Sequence, residues 1–163
     1  MHTEPTVAER AAQPYVAIKE LVTMQTIGEV LPKVHPEVFG WLGAHGIAPA
    51  GAPFWKYDLI DMERGLEVEV GVPIAAPTTG DERVFAGVLP AGRYATLQHT
   101  GHPSELMAAT AALLDWAKGR DLKWDVSGAD ERWAARLEIY QTDPREQPDM
   151  NKWETVLAFK LAD

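Results

Sequence analysis

The sequence contains no cysteine. Disulfides, thiolate nucleophiles, iron–sulfur clusters and Cys-ligated zinc are therefore excluded. No apolar run approaches the roughly 20 residues of a membrane-spanning helix, so no membrane partner is expected. Positive charge is scarce: 15 Lys and Arg stand against 24 Asp and Glu, for a formal net charge of −9. Nucleic-acid affinity rests on cationic neutralisation of phosphate, and no Lys/Arg cluster supplies it locally, so direct nucleic-acid binding is not expected. The chain shows no Gly-rich phosphate loop and no Ser/His/Asp arrangement of recognisable spacing. His99 and His102 have no third histidine nearby, so no metal is expected, and no cofactor is called for. The N-terminal stretch MHTEPTVAERAAQP lacks the apolar centre of a signal peptide. It reads as a flexible lead over residues 1–14 of a cytoplasmic protein.

What is present is aromatic. Six Trp and four Tyr occur in 163 residues, in a chain that is 46% hydrophobic and long enough for one domain. Residues 15–23 read as a strand. Thr26 followed by Glu29 resembles a capping box, but Pro32 and Pro36 follow, so the spacing predicts a short turn and then a helix over Pro36–His45. Residues 54–60 and 66–72 read as strands of a hairpin turning at Arg64-Gly65. In the second, Leu66, Val68, Val70 and Val72 face one way, and Glu67 and Glu69 face a wet side. Residues 76–82 form a polar linker. Strand segments follow on either side of Pro90 and Gly92. A helix is expected to start at His102-Pro103, to bury Leu106, Met107, Thr110, Leu113, Leu114 and Ala117, and to end at Gly119. Residues 132–142 and 152–162 close the pattern as strands.

Each half thus reads strand, helix, strand, strand, with repeat one over 15–76 and repeat two over 83–162 of a single domain spanning 15–163. Phe54-Trp55-Lys56-Tyr57-Asp58 parallels Leu137-Glu138-Ile139-Tyr140-Gln141. The expected fold is α+β: two pseudo-symmetric β-α-β-β repeats forming an antiparallel sheet, with helices on one face and a groove between repeats. Side chains alternate along a strand. Leu137, Ile139 and Phe54 are expected to face the helices. Trp55, Tyr57, Glu138 and Tyr140 are then expected on the opposite face, exposed by the seam between repeats. Aromatic walls around one carboxylate suit a flat, lipophilic, cationic molecule. Trp41 and Trp116 read as helix-to-sheet packing, Trp124 as a wall or lid of the pocket, and Trp133 as core by strict alternation.

The stretches GAPFWKYD (51–58), LEVEVGVPI (66–74), LPAGRYATLQHTGHPSEL (89–106) and RLEIYQTDP (136–144) resemble the GyrI-like small-molecule-binding domain family. That family supplies the effector-binding domains of AraC- and MerR-type multidrug regulators and also stand-alone proteins. The resemblance implies a groove between repeats for aromatic or cationic ligands, with Glu138 as the charge-recognition residue; strand parity sets Trp55, Tyr57 and Tyr140 beside it, and Trp124 is the further wall candidate. It also admits a hydrolase of cyclopropane-bearing aromatic electrophiles. There Glu138 is a general base toward water and Tyr57 or Tyr140 a hydrogen-bond donor to the developing oxyanion. A third reading is a gyrase-modulating interaction module, its acidic charge engaging a basic partner.

Overall fold

The computed structural model describes residues 1–162. The strands are β1 (Thr6–Arg10), β2 (Gln13–Val22), β3 (Phe54–Asp61), β4 (Gly65–Pro73), β5 (Phe85–Leu89), β6 (Gly92–Thr100), β7 (Val126–Ser127), β8 (Arg132–Trp133), β9 (Arg136–Tyr140) and β10 (Glu154–Lys160). The helices are α1 (Ile27–Ala44) and α2 (Leu106–Gly119). Eight strands make one curled antiparallel sheet in the order β1-β6-β10-β9-β3-β4-β2-β5, and β7 and β8 form a small ribbon beside it.

That order reads the same from both edges once β1 is matched with β5, β2 with β6, β3 with β9 and β4 with β10. The duplication is therefore real at the level of architecture. Its pseudo-two-fold runs through the β3–β9 pair, where Trp55 lies directly opposite Glu138. These two positions are also equivalents in the internal sequence alignment.

The flexible lead expected over residues 1–14 is corrected. Thr6–Arg10 is an edge strand in register with β6, from Thr6 opposite Thr96 to Arg10 opposite Gly92. The strand satisfies backbone groups that would otherwise line a bare edge of β6. Its side chains are mostly exposed, so it carries no apolar alternation to announce it.

The first helix is also longer than expected. It runs unbroken through both prolines, from Ile27 to Ala44. Pro32 and Pro36 are four residues apart and both exposed, so they stack on the water-facing side. There the carbonyls they leave unpaired are solvated. Thr26 is the N-cap but makes no capping bond; its hydroxyl instead accepts from the Thr23 amide at 2.9 Å. Leu31, Val34, Val38 and Leu42 form the buried stripe and pack on Leu66, Val68, Val70 and Val72 of β4, with Val16 and Ile18 of β2. In the second half Leu106, Ala109, Leu113 and Ala117 are the buried positions of α2. Met107, expected in that stripe, is exposed. This helix covers Ala95 and Leu97 of β6 and Leu157 and Phe159 of β10.

The helix-free face is not a wet surface. Tyr15, Ala17, Phe54, Tyr94, Leu137, Ile139 and Ala158 are buried there against one another. The curl of the sheet brings residues from distant strands together. Beside them lies a charged cluster, in which Lys56 donates to Glu69 at 3.1 Å and also to Asp58, and the Tyr15 hydroxyl donates to Glu69 at 2.5 Å. Glu69, expected on a solvated face, is 4% exposed. Burial raises its carboxyl to about 7, and hydrogen bonding with Asp58 adds to the rise. Lys56 is the cation that offsets both carboxylates, so Lys56→Met should strand them. A loss of about 3–5 kcal/mol in denaturant unfolding is expected.

The same face holds one tight backbone approach. Phe54 lies over Gly71, its cross-strand partner, and a methyl group added at Gly71 would meet the Phe54 ring at 2.6 Å. Gly71→Ala should cost about 1–3 kcal/mol through overpacking, read as a lower denaturation midpoint with an unchanged m-value.

Candidate functional site

Two helices cannot roof eight strands. Helix α1 packs on β2 and β4, and α2 on β6 and β10. The central pair β3 and β9 lies in the gap between them, and its helix-side face is the candidate floor of a groove. Four expected site residues meet on that floor: Trp55 and Tyr57 from β3, Glu138 and Tyr140 from β9. They share one face, as alternation requires, but it is the face that carries the helices. Trp55 and Tyr57 pack against the α1 core and Tyr140 against the α2 core. Phe54, Leu137 and Ile139, expected under the helices, are buried on the helix-free face. The inversion has a physical cause. The curled sheet buries its own inner surface, so the apolar parity of the central strands needs no helix over it.

Glu138 lies at the middle of this cluster. The Tyr140 hydroxyl donates to Glu138 Oε1 at 2.6 Å, and the Tyr57 hydroxyl faces the same carboxylate. Burial raises the Glu138 carboxyl above its ordinary value, and the two phenols and the Arg136 guanidinium oppose the rise. Burial first, and then the charge of Glu138, push both Tyr57 and Tyr140 well above the usual phenol value. Both therefore remain hydrogen-bond donors at neutral pH.

Two residues that were not counted among the site positions join it. His35 of α1 stacks on Trp55 with ring centroids 6.1 Å apart and meets Tyr140 edge-on, also at 6.1 Å. Trp55 and Tyr140 are themselves T-shaped at 5.2 Å. Trp55 Nε1 donates to His35 Nε2 at 2.7 Å, which fixes that nitrogen as an acceptor and the imidazole as neutral. Burial pulls its pKa down to about 4. His35 fell just outside the helix expected over Pro36–His45, so no periodicity aimed it at the strands. The second is Arg136, which shares the groove-facing parity of Glu138. Its guanidinium carbon lies 4.7 Å from the Trp133 ring centroid and 4.6 Å from that of Phe159.

Trp124 does not meet the other four. It packs against Trp133 and Phe159 near α2, at centroid distances of 5.6 and 5.9 Å. It also borders a separate surface hollow of about 590 Å³ with Leu114, Lys118 and Leu122. Trp133 packs in the α2 core, as a core residue, but on the face opposite to Leu137 and Ile139, with which strict alternation grouped it. The strand breaks at Ala134 between β8 and β9, and the break re-aims it. Among the described residues no group of three His, Asp or Glu is placed to hold a metal, and no helix is long and apolar enough to cross a membrane.

The duplicated sheet carries two helices on one face, with an aromatic cluster around one carboxylate in the gap between them, and the family match gives this fold its class, a small-molecule-binding domain. The profile of the family described as "GyrI-like small molecule binding domain" matches residues 3–161, and the chain belongs to that family. No curated protein matches the chain. Among solved structures it is similar to the C-terminal domain of EcmrR (TM-score 0.76, 17% identity, 98% of each chain covered). It is also similar to EcmrR in complex with DNA (TM-score 0.77, 18% identity), where it spans 98% of its own length but 57% of that chain. A third neighbour is SAV2435 bound to tetraphenylphosphonium (TM-score 0.68, 14% identity, 98% and 94% covered). A hydrolase from Listeria innocua is similar too (TM-score 0.67, 14% identity, 98% and 92% covered). At these identities the likeness is one of fold.

The neutral His35 makes stability depend on pH. Its pKa in the folded chain is about 4 and near 6.5 when unfolded, so acid protonates the unfolded chain first. Stability contributed by the buried neutral imidazole is intact above pH 6.5 and is lost as pH falls toward 4. Comparing thermal midpoints at pH 7 and pH 5, His35→Phe should show a smaller acid-induced drop than wild type.

Proposed function

We propose that this chain binds flat, aromatic, lipophilic small molecules in the groove between α1 and α2, with a cationic or hydrogen-donating group of the ligand directed at Glu138. The observation that carries the reading is one desolvated carboxylate that faces two protonated tyrosines and lies directly opposite a tryptophan on the neighbouring strand. Cation–π contacts of this kind contribute roughly 0.5–2 kcal/mol each. The low-dielectric surroundings strengthen the attraction of a ligand cation to the carboxylate. In the free protein His35, Trp55 and Tyr140 touch one another and occupy the groove, so an aromatic ligand enters by taking the place of one ring. Stacking lost between side chains is then recovered on the ligand. The presence of tetraphenylphosphonium on SAV2435, which shares the fold, is in keeping with this reading. The reading makes the chain a cytoplasmic ligand binder that does not itself contact nucleic acid.

Titration with ethidium or rhodamine 6G should quench the tryptophan fluorescence. Glu138→Gln should weaken the apparent affinity about tenfold, the size of one charge-assisted contact of about 1.4 kcal/mol. Absence of quenching by a panel of such dyes would overturn the assignment.

A second reading has its own support. A carboxyl raised by burial, next to two phenols that stay protonated, is a general base beside oxyanion donors. With an electrophilic cyclopropane-bearing aromatic in the groove, Glu138 would take a proton from water as the water oxygen attacks the ring carbon. The electrons of the broken C–C bond would pass to a conjugated carbonyl held by Tyr57 or Tyr140. Formation of the ring-opened alcohol by wild type, and its loss in Glu138→Gln, are the expected outcomes in a chromatographic assay. Full turnover by the variant would remove Glu138 as the base.

A further inference from the structure

Strand β9 places Arg136, Glu138 and Tyr140 at alternate positions on the groove face. Arg136 is half-buried on this face, and desolvation lowers its guanidinium below the usual arginine value. A charge in such surroundings is ordinarily held by an ion pair or by several hydrogen bonds. Arg136 has neither among the described residues. It lies against the rings of Trp133 and Phe159, and the charge that opposes its desolvation is that of Glu138. Aromatic faces stabilise the charge but accept none of the guanidinium's in-plane N–H groups in the way an oxygen does. An arginine presents five such donors in a rigid fork matched to a carboxylate.

The groove is therefore dipolar. Its anionic point is Glu138, already holding a tyrosine hydroxyl at 2.6 Å. Its cationic point is Arg136, two residues away on the same face, about 7 Å along the strand. A purely cationic aromatic meets attraction at one point and repulsion at the other. A purely anionic one meets the reverse.

We infer that Arg136 is a specificity-determining residue, and that the groove selects zwitterionic aromatics, whose carboxylate or equivalent anionic oxygen takes the Arg136 fork while the cationic group lies at Glu138. The inference rests on the proposed binding function and narrows its ligand class. It makes no appeal to an additional site: the same floor, read with both of its charges, has an orientation. A bound ligand lies along β9, acidic end toward Trp133 and Phe159, basic end toward Trp55 and Tyr140.

A matched pair of dyes tests this directly. Rhodamine 110 carries a free carboxylate and is zwitterionic. Rhodamine 123 is its methyl ester and is a plain cation on the same xanthene frame. By fluorescence anisotropy, the wild-type chain should bind rhodamine 110 at least fivefold more tightly than rhodamine 123. Arg136→Met should abolish or reverse that preference, and Arg136→Lys, which keeps the charge but loses the fork, should fall between. Glu138→Gln should weaken both dyes and leave the acid-over-ester preference standing. Equal or tighter binding of the ester by wild type overturns the inference and leaves the proposed function intact. So does an Arg136→Met variant, folded by circular dichroism, that loses affinity equally for both dyes, because that is the mark of a packing role. If neither dye binds, the proposed function fails, and the inference falls with it. The wild-type comparison needs no variant, so a poorly folded substitution does not blunt the test.

Discussion

The pairing of β3 with β9 is the contact on which everything else depends. It joins the two halves at the middle of the sheet. It places Trp55 opposite Glu138 on the pseudo-two-fold, and it leaves both under the gap between α1 and α2. A duplicated domain would set identical residues across such an axis. Here one half contributes an indole and the other a carboxylate. That divergence turns a symmetric seam into a site with a chemical direction, and Arg136, matched by no arginine in the first half, extends it.

Each central strand has to serve two surfaces. Along β3, Trp55 and Tyr57 belong to the groove, and Phe54 and Lys56 belong to the helix-free face. Between Tyr57 and Leu59 the register with β4 shifts, so that Asp58 is the extra residue of a bulge. The bulged carboxylate is then held by Lys56 and, at 3.5 Å, by Lys19. A bulge at this place tilts the strand locally directly beside the tyrosine that faces Glu138. The buried charges on one side of the sheet thus help set the geometry of the binding floor on the other. The edge strands work similarly at larger scale. Strand β1 pairs with β6 and β5 with β2, so each half completes the other's edge, and the two repeats cannot separate without breaking three ladders of backbone pairing, the third being β3 with β9.

Much of this was legible in the chain. The alternation Leu66, Val68, Val70, Val72 marked the surface under α1. The echo between residues 54–58 and 137–141 marked the duplication. Period-two parity grouped Trp55, Tyr57, Glu138 and Tyr140 on one face. Other features left no comparable mark. An edge strand such as Thr6–Arg10 is exposed at all but Ala8, so it shows no apolar period. Prolines on the wet side of a helix look like breaks because a sequence does not say which side is wet. Glu69 looks solvated because a glutamate in a strand usually is, and its partners Lys56 and Tyr15 come from other strands.

The sequence by itself determined which side chains stand together, because alternation along a strand is a property of the backbone and needs no neighbours. It also determined most of the buried stripe of α2 and the repeat. Only the tertiary structure decided which face each group occupies, because that depends on how far the sheet curls and on how many strands two helices can cover. The same is true of His35 and of the aromatic contacts of Arg136. They reach the groove through α1 and through the break before β9, where long-range packing, rather than local pattern, sets the direction of a side chain.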